Sequence, residues 1–334
     1  MAEAAPSSRL PGVAEVDELA HKLLAGERRA LSRAITLVES VHPSAREPRR
    51  RLLSAVFPRS GGALRLAVSG PPGAGKSSLI DALGRHAIAR GERVAVLAVD
   101  PSSRVSGGSL LGDKIRMARL SQDPASFIRP SPTAGLAGGV ARRTREATLL
   151  CEAAGYSWIV IETVGVGQTE YAVAGMVDCF LLVLAPGGGD EIQGMKRGIL
   201  EVADIVAVNK ADRDDRPRAE RARADLRGAL SLFSRSAADV ERPVLLASAL
   251  EETGIAELYD AVQAFAARAR ESGAFEARRA EQRLAWFREA VDHGLRERFL
   301  EEPGVAREFE LAEASVARGE EGPADAAERL LSLP

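Results

Sequence analysis

A chain of 334 residues, 46% of them hydrophobic, is long enough to bury one large core with helical additions or two modest domains. A formal net charge of -2 gives no overall basic field, which argues against nucleic acid and an anionic membrane surface as partners. Apolar runs such as CFLLVLAP (179–186) are far too short to span a bilayer.

The opening MAEAAPSSRL lacks the apolar core of a secretory signal. Glu3, Glu15, Asp17 and Glu18 argue against an acid-poor transit segment, so a cytoplasmic protein is expected. From Val13 to about Ser40 the apolar positions Val16, Leu19, Leu23, Leu31, Ile35 and Val38 recur at helical spacing, which predicts a pair of helices within an N-terminal helical extension over 1–60.

Between 63 and 249 the pattern changes to short continuous apolar runs alternating with helical stretches. The runs are ALRLAVSG (63–70), ERVAVLAVD (92–100), SWIVIET (157–163), DCFLLVLAP (178–186), ADIVAVNK (203–210) and RPVLLASA (242–249). Continuous Val/Ile/Leu runs indicate strands covered on both faces, so an α/β domain with a mostly parallel sheet is expected over 61–270. Polar motifs sit at the carboxyl end of these runs, where open α/β sheets bind their ligands.

After Gly254 the chain reads as helical and charge-rich. In 280–300 the residues Leu284, Phe287, Ala290, Val291 and Leu295 share a face, as a dimer surface or a packing face for the N-terminal helices would require. Region 271–334 is therefore expected to be a separate helical arm. Cys151 and Cys179 have no metal or redox spacing and suit buried positions, and His21, His42, His86 and His293 are scattered.

The first run leads into GPPGAGKSS, with Gly70, Pro71, Pro72, Gly73, Ala74, Gly75, Lys76, Ser77 and Ser78. Strand, glycine-rich loop and helix form the context of a phosphate loop. Its amides turn inward on the phosphates, Lys76 reaches the β and γ oxygens, and the Ser77 hydroxyl is offered to magnesium. A plain Gly-Pro turn before a helix would need neither lysine nor serine there.

The fifth run closes with Asn209, Lys210, Ala211 and Asp212. The Asp212 carboxylate can accept two hydrogen bonds from N1 and N2 of guanine and would meet an acceptor on adenine. Backbone amides of Ser248, Ala249 and Leu250 can reach the guanine O6. A polar loop capping the next helix is the blander alternative. For Mg2+, which takes hard oxygen ligands, the candidates are Ser77, Asp100, Asp113 and Glu162. A turn or cap role is the lesser alternative for Asp100, which is followed by Pro101 and Ser102.

PGGGDEIQGMKRG (186–198) places Asp190, Gln193 and Lys196 in a glycine-rich loop on the ligand edge, able to order when a phosphate or partner arrives. The 45 basic residues include only five lysines, and Lys76, Lys114, Lys196 and Lys210 all fall in these motif stretches, with Lys22 outside. Arg104, Arg142, Arg143 and Arg145 lie close by in the chain, but none is assignable as an arginine finger, so slow intrinsic hydrolysis is expected.

The set GPPGAGKSS, VDPSS, GDKIRM, RPSPTAGLAGGVARRTRE, ETVGVGQTE, PGGGDEIQGMKRG and NKAD resembles the MeaB family of G-protein chaperones, also labelled ArgK, which includes the methylmalonic aciduria type A proteins. The resemblance runs from ITLVES (35–40) through the C-terminal helices. It implies a GTPase that cycles between GTP and GDP with Mg2+, gates cofactor loading and protects an adenosylcobalamin-dependent acyl-CoA mutase such as methylmalonyl-CoA mutase. An adenosyltransferase is a further candidate partner, and homodimerisation through the C-terminal arm is implied. Asp100 and Asp113 would belong to a first switch and Glu162 to a second. Asp190, Gln193 and Lys196 would belong to a third that relays nucleotide state, with Lys76, Glu162 and Lys196 serving hydrolysis. Two other readings remain: a nickel metallochaperone GTPase, opposed by the lack of Cys-x-x-Cys and of a His pair, and a phosphate-loop kinase or transport ATPase, opposed by Asp212.

Overall fold

The structure is a computed structural model and describes residues 13–100, 117–132, 137–163, 169–187, 197–231 and 242–333. Three helices open it: α1 (Val13–Leu24), α2 (Arg28–Glu39) and α3 (Arg46–Val56). The alternating region follows with β1 (Leu64–Ser69), α4 (Lys76–Ala89), β2 (Val94–Asp100), α5 (Ala118–Ser121), β3 (Ser126–Pro132), α6 (Ala137–Ala153) and β4 (Trp158–Thr163). It continues with α7 (Thr169–Ala174), β5 (Cys179–Leu184), α8 (Arg197–Val202), β6 (Ile205–Val208), α9 (Arg216–Ser231), β7 (Val244–Leu246) and α10 (Ile255–Glu271). Three more helices end the chain: α11 (Ala274–Glu301), α12 (Pro303–Ala317) and α13 (Pro323–Leu331).

The seven described strands form one sheet in the order β3-β2-β4-β1-β5-β6-β7, with parallel pairings throughout. Period-two alternation sorts each strand's side chains between two apolar layers. Leu66, Val68, Val94, Val96, Val160, Leu181 and Val183 join the core formed with α4 and α10. On the opposite face, Ala95, Leu97 and Ile159 pack with α1, α2, α3 and α6, while Phe180, Leu182, Val206 and Val208 pack with α7 and α9. The first three helices thus close one half of a sheet face. In the other layer, fully buried Trp158 stacks on Tyr259 with centroids 5.1 Å apart, anchoring α10 to the sheet.

Sequence reasoning overlooked β3. Its SFIRPSP carries Pro130 and Pro132, which read as a break in a strand pattern. Two prolines two residues apart lack their N–H on the same side of the strand, a defect compatible with an edge whose outer side makes no ladder. β3 occupies such an edge and pairs with β2 alone. α3 was not anticipated as a separate helix either. Its carboxylate-poor REPRRRLLSAV is mostly polar, and only Leu52 and Val56 are fully buried.

The chain divides into two compact units, one ending at Phe275 and the other running from Glu276. Within the second, Val305 and Ala312 of α12 and Ala326 and Leu330 of α13 are buried. Arg329 bridges Glu308 and Glu321 in the same unit. Along α11, Leu284, Phe287, Val291 and Leu295 are exposed in a single helical stripe. Among the described residues no helix is long and apolar enough to cross a membrane.

Glu146 of α6 is buried and accepts from Arg142 Nε at 3.1 Å. Burial holds its carboxyl above the ordinary value, although Arg49, Arg142 and Arg143 pull the other way. Folding therefore favours the protonated carboxyl. That contribution is complete below the ordinary value and is lost as pH rises through the higher folded one. Glu146→Gln cannot ionise. Urea titrations from about pH 4 to about pH 7 should show the stability of wild type falling relative to the variant. A difference independent of pH would show that the carboxyl binds its proton alike in the folded and unfolded chain.

Candidate functional site

All strands end on one edge of the sheet, and the motif loops leave from it. After Ser69 the chain turns through 70–75 into α4, which begins at Lys76. Sterics fix two glycines in this turn. Gly70 has φ 148°, and a Cβ there would lie 1.9 Å from the Val183 carbonyl oxygen of β5; Gly75 has φ 83°, and its Cβ would lie 2.6 Å from Asn209 Nδ2. Gly73 has φ 82° with open space around it. The loop thus turns its backbone at the amino end of α4, where amides and helix dipole favour an anion.

Lys76 is buried, and its ammonium donates to the carbonyls of Gly70 at 2.8 Å and Pro71 at 3.1 Å. Ser77 donates its hydroxyl to Glu162 Oε1 at 2.7 Å. Glu162 is the penultimate residue of β4 and is itself buried. Beside it, Thr163 donates to Ser69 Oγ at 2.8 Å, so the end of β4 is joined once to the end of β1 and once to the start of α4. The Ser77 hydroxyl with the Glu162 carboxylate is a hard-oxygen pair at the mouth of the loop, a donor set suited to Mg2+. Pro72 and Ser78 are exposed and Ala74 is buried.

The second loop follows β6. Asn209 is buried and donates Nδ2 to Ala74 O at 2.9 Å and Gly75 O at 3.3 Å, while its Oδ1 accepts from Ala249 N at 3.2 Å. Its carboxamide therefore joins the 70–75 loop, its own loop and the 248–253 loop. Lys210 is exposed, with φ 61°, and its Cε passes 3.8 Å from where a Cβ on Gly75 would stand. Its aliphatic stem thus lies over the first loop.

Asp212 is half-buried, and its carboxylate takes the hydrogen bond of the Ser248 hydroxyl. Ser248 Oγ accepts in turn from Glu251 N at 2.9 Å. The Ser248–Thr253 bridge, with Ser248 N donating to Thr253 O at 2.9 Å, closes the third loop behind Ala249 and the exposed Leu250. Gly254 ends it at φ 72°, where a Cβ would lie 2.1 Å from Leu246 O.

The described site thus gathers Gly70–Ser78, Glu162, Asn209–Asp212 and Ser248–Leu250 on one edge. Asp113, Asp190, Gln193 and Lys196 lie outside the described residues, as does the side chain of Asp100, whose backbone ends β2. Sequence reasoning did not single out Thr163 and Ser69 as a pair; no spacing reveals two hydroxyls that meet across neighbouring parallel strands.

The family model described as Methylmalonyl Co-A mutase-associated GTPase MeaB matches residues 31–304. The chain belongs to the MeaB family. It is 49% identical over 318 residues to a probable GTPase of Mycobacterium tuberculosis, covering 95% of each chain. It is 46% identical to the mitochondrial methylmalonic aciduria type A homolog of Mus musculus, covering 95% of this chain and 79% of that one. To the GTPase ArgK of Escherichia coli it is 46% identical, over 84% of each. A solved structure described as LAO/AO transport system kinase superposes with a TM-score of 0.73 at 36% identity, over 96% of this chain and 98% of the other. This MeaB-family protein is a phosphate-loop GTPase, and its parallel sheet is the expected scaffold.

The two glycines separate steric from conformational demand. In this MeaB-family GTPase, Gly70→Ala should lower unfolding free energy by about 2 kcal/mol or more, because a backbone carbonyl occupies the space. Gly73→Ala should cost only about 1 kcal/mol, the left-handed strain alone. Urea denaturation without nucleotide measures both, and equal losses would contradict the close approach at Gly70.

Proposed function

We propose that this GTPase is a chaperone of an adenosylcobalamin-dependent acyl-CoA mutase, methylmalonyl-CoA mutase or a relative, gating its cofactor loading and protecting it. The observation that carries the reading is one site in which Asn209 joins a phosphate loop to an aspartate loop, within a family described as methylmalonyl Co-A mutase-associated. GTP and GDP are the nucleotides. The 73–78 amides and Lys76 bind the phosphates, Asp212 reads N1 and N2 of guanine, and amides of 248–250 meet O6.

Ser77 and Glu162, with Asp100 and Asp113, would hold Mg2+, which draws charge from the phosphates when bound. Glu162, already hydrogen-bonded to Ser77, is placed to sense whether that hydroxyl is engaged elsewhere. Lys196, with Asp190 and Gln193, belongs to the segment that passes nucleotide state to the mutase. The described Arg142 is paired with Glu146, consistent with slow turnover in the absence of a partner that completes the charge stabilisation. An adenosyltransferase is a further partner of the same delivery step, and the cytoplasm is the expected compartment.

The exposed stripe Leu284, Phe287, Val291 and Leu295 supports a homodimer through α11. Light scattering should then read about twice the 35.4 kDa of one chain; a single-chain mass at micromolar concentration would remove the dimer.

The deciding experiment is GTP turnover with and without a purified cobalamin-dependent mutase, with ATP and xanthosine triphosphate as comparisons. Turnover should be slow alone, rise about tenfold or more with mutase, and be absent with ATP. Asp212→Asn should shift preference to xanthosine triphosphate because donor and acceptor exchange. Lys196→Ala should keep GTP binding and lose most of the mutase acceleration. A GTPase rate unaffected by any mutase would sink the partner assignment, and unchanged GTP preference in Asp212→Asn would sink the base assignment.

A further inference from the structure

Glu252 occupies the tip of the 248–253 loop with φ 56°, a left-handed conformation that an L side chain rarely adopts. Its Oε1 accepts from Arg85 Nη2 at 2.8 Å and from Arg119 Nη1 at 2.7 Å. Arg85 comes from α4, the helix that starts at the phosphate loop, and Arg119 from α5. Arg85 Nε also donates to Asp81 Oδ2 at 3.1 Å, and Asp81 Oδ1 accepts from Leu120 N at 2.8 Å. One charged network therefore connects α4, α5 and the tip of the loop. The two guanidiniums would repel one another without the carboxylate between them. Hydrogen bonding by Arg85 lowers the Glu252 carboxyl below its ordinary value, which keeps the bridge ionised at neutral pH.

The other ties of this loop run within it and to the 209–213 segment: Ser248 to Asp212, Ala249 N to Asn209, Arg213 N to Glu251 Oε1 at 3.4 Å and Ser248 N to Thr253 O. Those contacts hold it to the segment that carries Asp212. Glu252 fixes its tip against the helix that carries Lys76 and Ser77.

We propose that Glu252 is a positioning residue for nucleotide retention: by bridging Arg85 and Arg119 it holds the 248–253 loop in the register at which its amides meet guanine. The inference rests on the guanine reading given above. It adds that the base loop is braced from the phosphate-loop helix by an ion bridge, so the lifetime of the bound nucleotide depends on ionic strength.

The test follows dissociation of a fluorescent GDP analogue by stopped flow, together with steady-state GTP turnover. Glu252→Gln should speed dissociation about fivefold and raise KM, the size expected for two exposed ion pairs lost together, while kcat at saturating GTP changes less than about twofold. About 1 M salt should bring wild type towards the variant by screening the bridge. Glu252→Gly, which removes the bridge and frees the backbone, should also dissociate faster. If it is as slow as wild type, backbone strain and not the bridge governs the loop, and the proposal falls. Arg119→Ala should speed dissociation, and adding it to Glu252→Gln should give no further increase. Thermal midpoints report whether each variant is folded.

Dissociation unchanged in Glu252→Gln, or an equal loss in kcat and kcat/KM, would overturn the positioning role. Asp212→Asn with xanthosine triphosphate is run beside it. If that variant switches base while Glu252→Gln has no effect, only the bracing proposal fails; if it does not switch, the guanine reading itself has failed.

Discussion

The carboxamide of Asn209 is shared by three loops. Its nitrogen donates to two carbonyls of the phosphate loop, and its oxygen accepts an amide of the loop that follows β7. Only a side chain with donor and acceptor on one short stem meets both demands: aspartate offers no donor, and glutamine would carry the amide one methylene too far. Because Asn209 is buried, each contact left unmade would cost about 1–3 kcal/mol. The glycine at position 75 belongs to the same constraint, since any side chain there would displace the amide. The phosphate loop and the loop that carries Asp212 are therefore tied together by one side chain.

A second set of contacts joins the end of β4 to the start of α4 and to the end of β1. Glu162 takes the Ser77 hydroxyl directly, and Thr163 meets Ser69 one residue further along. An aspartate at position 162 would be a methylene shorter and would not span the same 2.7 Å contact without strand movement. The hydroxyl that suits a metal is thus also a link to the strand leading into the 164–168 segment, so a change at Ser77 is felt at the end of β4.

The parallel sheet was legible because six of its strands are continuous apolar runs, a pattern that burial on both faces demands. β3 was illegible for a physical reason: an edge strand tolerates prolines that interior strands exclude, and Pro130 and Pro132 read as interruption. The phosphate loop could be recognised from glycine, lysine and serine spacing, since its chemistry is local. Side-chain traffic between distant loops could not. Asn209 was read from its motif as a base-loop residue, and nothing in the sequence reveals that its amide is spent on Ala74, Gly75 and Ala249. Glu252 carries no motif at all. It matters because folding brings Arg85, 167 positions away, and Arg119, 133 away, to the same oxygen.

The prolines of β3 bear on how such a chain can associate. At Pro130 and Pro132 the outer side of the strand offers no N–H, so a strand from another molecule cannot extend the hydrogen-bonded ladder there. The opposite border is β7, only three residues long, a template too brief to recruit a neighbour. Sheet growth is thus discouraged at both borders. Among the described strands, backbone pairing with another molecule is therefore disfavoured, and side-chain shape and charge on helices and loops are the features left to guide contact.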